Sequence, residues 1–332
     1  MRSTALFHRL ALFSVVLALV VVVLGAYVRL SDAGLGCPDW PGCYGHLGVP
    51  DEHHEVHAAN EAFPERPVEA HKAWKEMIHR YFASALGLII LILAAMAWMR
   101  RGIGEENHGL MTFASVLVIF QGLLGMWTVT LLVNPAIVTS HLLGGLLTLS
   151  VLWLLVLRQR RWFQDSVHVF RPLRTLGTLG LLILIGQIML GGWTSTNYAA
   201  LACTDFPTCH GSWVPDMDMG EGFTLWRPLG VDYEFGVLDA PARVAVHFVH
   251  RMGALVTFLY LGALAVMMLR SAGALVRRLG LIIGFLLLVQ VSLGIANIVF
   301  SLPLAVAVAH NGVAALLLLS LVTLNQATRE RP

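Results

Sequence analysis

Charge is segregated along this chain of 332 residues, and that segregation constrains its fold more than any other feature. Short charged stretches alternate with long uncharged apolar runs, and about 20 apolar residues are enough to cross a bilayer as a helix. Apolar residues make up 57% of the chain and charged residues only 13%, about half the charged fraction of a soluble protein. The sequence therefore predicts a polytopic membrane protein. It excludes a soluble globular enzyme, a nucleic-acid binder and a disordered protein.

Two of the apolar runs are too long for a single crossing. Leu279–Thr328 holds 50 uncharged residues, which would form a helix of roughly 75 Å. Pro303 lies near its middle, where proline can begin a helix but not continue one, and Asn134-Pro135 divides Gly109–Leu157 in the same way. We predict an all-α integral membrane protein with eight transmembrane helices. Their expected positions are about 9–29, 77–99, 109–132, 136–157, 174–195, 244–269, 278–300 and 304–325.

The distribution of charge also predicts the orientation. Most arginines lie in the termini and in the short loops on one side of the predicted membrane. Most acidic residues lie in two long loops on the other side, about 30–76 and 196–243. Short arginine-rich loops face the cytoplasm, so we expect both termini inside and both long loops outside. The first apolar run is longer than that of a signal peptide and lacks a small-x-small cleavage site, so we expect a retained helix there.

The second half of the sequence repeats the first. Gly36–Gly45 reads GCPDWPGCYG, and Ala202–Gly211 reads ACTDFPTCHG at an offset of 166 residues. Chance similarity between Leu-rich helices does not explain shared Cys, Pro, Asp, His and Arg. We predict two pseudo-symmetric four-helix bundles, residues 1–165 and 166–332, arranged as a parallel tandem repeat. The other matched positions are Gly25 with Gly191, His79-Arg80 with His250-Arg251, Gln121–Gly125 with Gln290–Gly294, and His141 with His310.

Four histidines lie inside the apolar helices, near the outer start of every second helix. They are His79, His141, His250 and His310. An ionisable residue within the membrane is costly and is a functional hypothesis by default. A single one could equally be a hydrogen-bonded core residue, but two pairs at one depth favour ligation. A non-heme metal would recruit carboxylates or further histidines. One histidine from each of two facing helices instead suits bis-imidazole ligation of heme, between His79 and His141 and between His250 and His310.

Arg80 and Arg251 each follow the first histidine of a pair. Arginines at this depth can extend to the outer headgroups. They can also form salt bridges with heme propionates, for which guanidinium geometry is well suited. These two roles are compatible, and we expect propionate contact. Gly144, Gly145 and Gly312 follow the second ligands and permit close approach of a ring or of a neighbouring helix.

The two halves differ at Glu76, which is replaced by His247 in the second copy. Glu76 lies one helical turn before His79 on the same face. A carboxylate there could move protons or stabilise positive charge. Alternatively, it is a glutamate near the start of a helix that interacts favourably with the helix dipole. The difference predicts a reactive first half and a plainer redox site in the second.

The four cysteines lie in the two outer loops, as Cys37 with Cys43 and Cys203 with Cys209. Disulfides persist outside the cytoplasm, and pairing within each loop is the simplest arrangement. Zinc binding by four thiolates is the rival interpretation. The remaining loop histidines are expected to be solvated, with a loose metal-binding tract at His53–His57 as an alternative. These histidines are His46, His53, His54, His57, His71 and His210.

Taken together, these motifs resemble those of the heme A synthases over nearly the whole chain. The resemblance rests on Glu76–Arg80 (EMIHR), His247–Arg251 (HFVHR), the two later histidines and the cysteine pairs. It implies a membrane oxidoreductase of cytochrome oxidase assembly that converts the ring methyl of heme O to a formyl group, by two hydroxylations and loss of water, giving heme A. It assigns His79 and His141 to the substrate heme, and His250 and His310 to a prosthetic heme b. Glu76 matches the family's functionally important glutamate.

The resemblance further implies a location in the bacterial inner (cytoplasmic) membrane. The expected partners are heme O handed over by a heme O synthase, an electron-transfer partner and membrane lipid, with a homo-oligomer left open and no nucleic acid. Asp51–Glu69 matches no motif of the family.

Two other functions stay open at this point. Four axial histidines alone would also suit a diheme b-type electron carrier linked to quinol, against which Glu76 and its absence from the second copy argue. A heme transporter or chaperone is disfavoured by two fixed ligands per site.

Overall fold

The computed structural model describes residues 2–99, 107–159, 171–271 and 273–328. Over these ranges the regular structure is helical apart from two isolated β-bridges, Cys43 with His46 and Cys209 with Ser212. The helices are α1 (Arg2–Leu30), α2 (His53–Ala62), α3 (Ala70–Met99), α4 (His108–Thr130), α5 (Pro135–Gln159), α6 (Arg171–Thr196), α7 (Met219–Gly222), α8 (Ala240–Leu269), α9 (Ala274–Val299) and α10 (Leu304–Ala327).

Eight helices of the described chain are long and apolar enough to cross a membrane. They are α1, α3, α4, α5, α6, α8, α9 and α10. The prediction of an all-α membrane protein with eight spans is therefore confirmed. Both α3 and α8 begin a few residues before the predicted spans. At α8 the added turn begins with Asp239, whose side chain caps the helix by accepting from the backbone N–H of Ala242 at 3.1 Å.

The two prolines chosen as helix boundaries do separate helices. Pro135 is the first residue of α5, and Pro303 immediately precedes α10. Before each proline the chain reverses through two consecutive non-glycine residues with positive φ, a conformation uncommon for such residues. These are Leu132 and Val133 in the first half (φ 50° and 51°) and Ser301 and Leu302 in the second (φ 55° and 62°). Both turns occupy the same place in the sequence repeat.

Within each half the four spans contact one another in a ring. In the first half α1 contacts α3 and α5, and α4 contacts the same two helices. In the second half α6 contacts α8 and α10, and α9 contacts the same two helices. Corresponding helices of the repeat thus have corresponding neighbours. The boundary predicted at residues 165 and 166 lies outside the described residues.

The two rings share one hydrophobic core. Leu149 and Leu152 of α5 and Leu317 and Leu321 of α10 are fully buried in the same apolar cluster, and α5 contacts α10 directly. Trp153 of α5 donates from its indole nitrogen to the Thr323 hydroxyl at 2.8 Å, across the junction. Large apolar side chains on the outward faces are exposed, as expected for surfaces that contact lipid.

The long loops also join the halves. Arg66, which follows α2, pairs with Asp232 at 2.6 Å and with Glu234 at 2.9 Å in the second loop. At the end of α1, Arg29 lies 4.1 Å from the ring centre of Tyr198 and donates to the Ser195 carbonyl at 2.6 Å. The loops are thus fixed to each other and to the ends of the spans beneath them.

Candidate functional site

Each of the four histidines proposed as ligands packs its ring against a glycine of a neighbouring helix. A glycine has no side chain, so the ring can lie against the helix backbone. An ideal Cβ would lie 3.1 to 3.3 Å from a ring carbon at three of these glycines and 3.5 Å away at the fourth, Gly125. A side chain at any of the first three would displace the ring. The pairs are His79 with Gly25, His141 with Gly125, His250 with Gly191, and His310 with Gly294.

This role of the glycines is not among the predictions made from the sequence. The signal was nevertheless present, because Gly25 matches Gly191 and Gly125 matches Gly294 in the repeat. Two of the glycines predicted to permit close approach after the second histidines have other neighbours. Gly144 lies under the side chain of Gln121, and Gly312 faces Val23 of α1.

His79 on α3 and His141 on α5 stand on opposite helices of the first ring of spans. His250 on α8 and His310 on α10 stand on opposite helices of the second. All four side chains are half-buried. Each predicted pair thus lies within one ring of spans, and ligation of a heme by these histidines stays a prediction.

The hydrogen bonds of the two pairs differ. Nδ1 of His79 and Nδ1 of His141 are buried without a partner among the described residues. In the second half, Nε2 of Gln187 lies 3.1 Å from Nδ1 of His250 and donates to the carbonyl oxygen of the same residue. Nδ1 of His310 donates to the backbone carbonyl of Gln290 at 3.1 Å, and the amide Nε2 of Gln290 lies 3.2 Å from Nε2 of that ring.

Glu76 is buried, with 5% of its surface exposed, and connects α3 to the first outer loop. One carboxylate oxygen accepts from Nη2 of Arg80 at 2.6 Å, and the other accepts from the backbone N–H of Cys37 at 3.0 Å. Glu76 lies beyond the first turn of α3, which starts at Ala70. The helix dipole acts mainly within the first turn, so this position argues against the dipole interpretation.

His247 makes the equivalent connection in the second half. It is also buried, and its Nδ1 accepts from the backbone N–H of Cys203 at 3.1 Å. Its Nε2 lies 3.2 Å from Nε of Arg251. Glu76 thus anchors the first disulfide loop to α3, and His247 anchors the second to α8. This anchoring role is not among the predictions made from the sequence.

The two arginines bind the same loops through backbone carbonyls. Nη1 of Arg80 donates to the carbonyl oxygens of Asp39, Pro41 and Gly42 at 3.0, 3.3 and 2.5 Å. Arg251 donates to the carbonyl oxygens of Thr208 and Cys203, each at 2.8 Å. Contact of these arginines with heme propionates stays a prediction.

Both loops contain the local disulfides that were predicted. Cys37 is bonded to Cys43 and Cys203 to Cys209, so the alternative of a zinc site with four thiolates is wrong. An aspartate organises each loop. Asp39 accepts from the backbone N–H groups of Tyr44 and Gly45, and Asp205 makes the corresponding bonds in the second loop. Hydrogen bonds from the Thr208 hydroxyl and from the loop backbone hold the pKa of Asp205 well below its usual range.

The histidines of the first outer loop are mostly exposed. His54 lies 3.3 Å from Glu52, and His57 lies 3.6 Å from Glu61. In the part of the chain that the structure describes, no group of three or more His, Cys, Asp or Glu side chains could hold a metal ion. This does not support the alternative of a metal-binding tract at His53–His57.

Comparison with known proteins covers nearly the whole chain. A family model described as cytochrome oxidase assembly protein matches residues 8–322. A heme A synthase of Shewanella oneidensis is 49% identical over 313 residues, which is 94% of this chain and 93% of the relative. A heme A synthase of Rhizorhabdus wittichii is 30% identical over 97% of this chain and 93% of the relative. One of Shouchella clausii is 28% identical over 63% of this chain and 65% of the relative.

Replacing Arg80 with alanine should make the Cys37–Cys43 disulfide easier to reduce. The variant loses the bonds that hold the loop carbonyls, and hydrogen bonds to charged groups contribute about 1.5–3 kcal/mol each. We expect reduction by a phosphine reductant to be roughly tenfold faster or more, measured by alkylation and mass spectrometry. Cys203–Cys209 in the same sample is the control. Equal acceleration of both disulfides, or of neither, would contradict this role of Arg80.

Proposed function

The chain belongs to the family of cytochrome oxidase assembly proteins, and from that membership we propose that it oxidises the ring methyl of heme O to the formyl group of heme A. The observation that carries this proposal is the 49% identity, over 94% of the chain, to a protein named heme A synthase. The two pairs of half-buried imidazoles inside apolar helices support it independently, because they are suited to hold two hemes. A diheme electron carrier is not favoured, since the relatives bear the name of a synthase.

We assign the substrate heme to His79 and His141, and a resident heme b to His250 and His310. The residues of the first pair fit such a group, and those of the second pair would fit one once the Gln290 amide leaves Nε2 of His310. Each ring packs against a glycine, whose missing side chain lets the imidazole lie against the neighbouring helix. The unpartnered Nδ1 atoms of the first pair are orphaned buried polar groups, which carry a cost unless the site holds something that compensates. Heme b, when bound, supplies one-electron redox chemistry.

The chain's own contribution to the reaction is positioning and proton handling. The methyl would be hydroxylated twice, each time by a two-electron oxidation for which an external oxidant and an oxygen atom must be supplied, and the geminal diol would then lose water to form the aldehyde. We assign proton transfer at that methyl to Glu76, one helical turn from His79 and buried beneath the first loop. Arg80 holds this carboxylate at 2.6 Å and is proposed to contact a propionate as well.

We place the protein in the bacterial inner membrane with both termini in the cytoplasm, because the arginine-rich loops lie on that side. In this orientation both histidine pairs and both disulfide loops lie toward the outer surface. The proposed partners are a heme O synthase that supplies the substrate, an electron-transfer protein and a second copy of this chain.

The direct test is identification of the bound pigments. Protein purified from cells that make heme O should yield, on acid–acetone extraction and chromatography, heme b together with heme O, its hydroxylated form or heme A. Recovery of heme b alone at both sites, with no oxidised product on incubation with heme O, would contradict the proposed function.

Exchanging Glu76 for glutamine should separate its two roles. The amide oxygen of glutamine can still accept from the Cys37 N–H, but the side chain no longer ionises. We expect Glu76→Gln to keep the loop ordered and heme bound while heme A output falls by roughly a hundredfold or more, in line with general acid–base contributions. Glu76→Ala should lose output and loosen the loop. Full heme A output from Glu76→Gln would remove Glu76 from the chemistry.

Replacing His250 or His310 should change the absorption spectrum of the protein as well as its rate of reaction. His250→Ala and His310→Ala leave one axial imidazole each, so the low-spin b-type absorption should be lost while the helical circular dichroism is kept. His53→Ala, in the exposed helix α2, is the matched control and should leave the spectrum unchanged. An unaltered low-spin spectrum in the His250 and His310 variants would refute this assignment.

A further inference from the structure

A segment of the second outer loop lies on the first half of the chain. We call this segment, Gly230–Gly236, the strap. Most of its residues are exposed, but its central residue, Tyr233, is only 1% exposed. Tyr233 lies in a buried apolar cluster with Leu35, Val129 and Val133, which all belong to the first half. One half of the chain therefore buries a tyrosine in the other.

Three hydrogen bonds hold the strap in this position. The backbone N–H of Tyr233 donates to the carbonyl of Leu132, in the turn between α4 and α5, at 3.1 Å. Its hydroxyl donates to the carbonyl of Pro228 at 2.6 Å, so the buried ring keeps a partner for its polar end. Its own carbonyl accepts from the N–H of Gly236 at 3.0 Å, which closes the strap into a tight turn. The strap is thus bonded to the backbone of the first half as well as packed against it.

Arg66 fixes the strap on both sides of the tyrosine. Its guanidinium pairs with Asp232 at 2.6 Å and with Glu234 at 2.9 Å. The side chains of Arg66 and Glu234 are mostly buried, so their attraction is screened less than that of a surface pair. Arg66 is itself held by the first outer loop, because the Tyr44 hydroxyl donates to its backbone carbonyl at 3.1 Å. One arginine therefore connects the strap to the loop that contains the first disulfide.

The buried cluster lies just beyond the histidines of the first half. Val129 lies one helical turn after Gly125 on α4, and residues four apart share a helix face. His141 packs against Gly125. Val129 therefore lies about 6 Å farther toward the loops, on the face of α4 that His141 contacts. Because Tyr233 shares a cluster with Val129, it covers the loop end of this site.

The same cluster adjoins the segment that binds Glu76. Leu35, a buried member of the cluster, lies two residues before Cys37. The backbone N–H of Cys37 donates to the Glu76 carboxylate at 3.0 Å. Tyr233 therefore packs beside the two segments of the first half that hold His141 and Glu76.

The equivalent turn of the second half is more open. At the repeat offset of 169, Val133 corresponds to Leu302 and Pro135 to Leu304. Val133 and Pro135 are buried, whereas Leu302 is half-buried and Leu304 is exposed. The backbone does not cause this difference, because both turns contain the same pair of residues with positive φ. The strap does, since Val133 lies in the cluster that Tyr233 completes.

We propose that Tyr233 is a positioning residue of the first-half site. It closes the loop end of the first ring of spans against water, and Arg66 holds it in place. A site closed to water strengthens the electrostatic interactions within it and prevents loss of protons to the solvent, which suits proton transfer by Glu76. The inference rests on the proposed function, in which the substrate heme occupies the first half. The second half thus supplies the cover for the site in the first.

Thiol labelling of the purified protein tests the closure directly. All four native cysteines form disulfides, so one introduced thiol can be followed alone. Val133→Cys places a thiol beneath Tyr233, and Leu302→Cys places one at the equivalent position of the second half. A water-soluble methanethiosulfonate reagent should label Leu302→Cys about tenfold faster or more than Val133→Cys, because buried sites react only through local opening. Mass spectrometry measures both rates.

Removing the ring should open the first turn alone. Tyr233→Ala leaves a cavity in the cluster, so labelling of Val133→Cys should speed up about a hundredfold while that of Leu302→Cys changes by less than about twofold. Tyr233→Phe keeps the ring and should keep the labelling slow. Trp226→Ala is the matched control, because it removes a ring that is 71% exposed in the same loop and should change neither rate.

Arg66→Met tests the strap without changing the cluster. It keeps the length of the side chain but loses both ion pairs, so Val133→Cys should react about threefold to tenfold faster, in line with the small contribution of partly exposed pairs. Unchanged labelling of Val133→Cys in both Tyr233→Ala and Arg66→Met would overturn the proposal. Equal acceleration at Leu302→Cys would also overturn it, since the strap would then not act on the first half in particular.

Heme A output from the Tyr233 variants tests the positioning role. Tyr233→Ala should lower the output about tenfold or more with the second-half b-type spectrum unchanged, and Tyr233→Phe should restore it. Unchanged output from Tyr233→Ala, when its turn is labelled quickly, would remove Tyr233 from this role. If labelling follows the strap but the original protein makes no heme A, the proposed function fails and the closure stands. If heme A forms and labelling does not depend on the strap, only the closure fails.

Discussion

A polar imidazole inside an apolar helix bundle must be held in a defined place, and the arrangement of the spans follows from that constraint. Each of the four imidazoles lies against a glycine on a neighbouring helix, and at Gly25, Gly191 and Gly294 a side chain would crowd the imidazole. The glycines sit on α1, α4, α6 and α9, and the histidines on α3, α5, α8 and α10. Each of the four spans in a half therefore contributes either a histidine or the glycine against which a histidine packs.

The same helices that carry the first histidine of each pair also anchor the outer loops. On α3, Glu76 and Arg80 hold the backbone around the Cys37–Cys43 disulfide, and His79 lies between them in sequence. On α8, His247 and Arg251 do the same for the second loop. A displacement of either loop therefore acts directly on the helical turn that carries His79 or His250. This links the two disulfides to the histidine sites by physical contact.

The duplication gives both halves the same framework, and single substitutions within it give the two histidine pairs different surroundings. The ring of spans, the proline turns, the glycines and the loop anchors occur in both halves. The exchange of Glu76 for His247 puts a different chemical group beside the histidine, while both residues accept from the backbone N–H of the equivalent cysteine. A duplicated fold can thus place two similar histidine pairs side by side and surround them with different hydrogen-bond partners.

The sequence by itself determined the class of fold, the number of spans, the proline boundaries, the four candidate ligands and the cysteine pairing. Each depends on local pattern: hydrophobic run length, a residue that cannot continue a helix, or rare residues repeated at a fixed offset. Only the tertiary structure decided which groups meet across long distances in the chain. The contacts of Arg80 with the loop, the pairing of Arg66 with Asp232 and the position of Gln121 over Gly144 depend on the rotation and packing of helices. Hydrophobic periodicity does not specify those rotations, because in an apolar span nearly every face is compatible with lipid or with another helix.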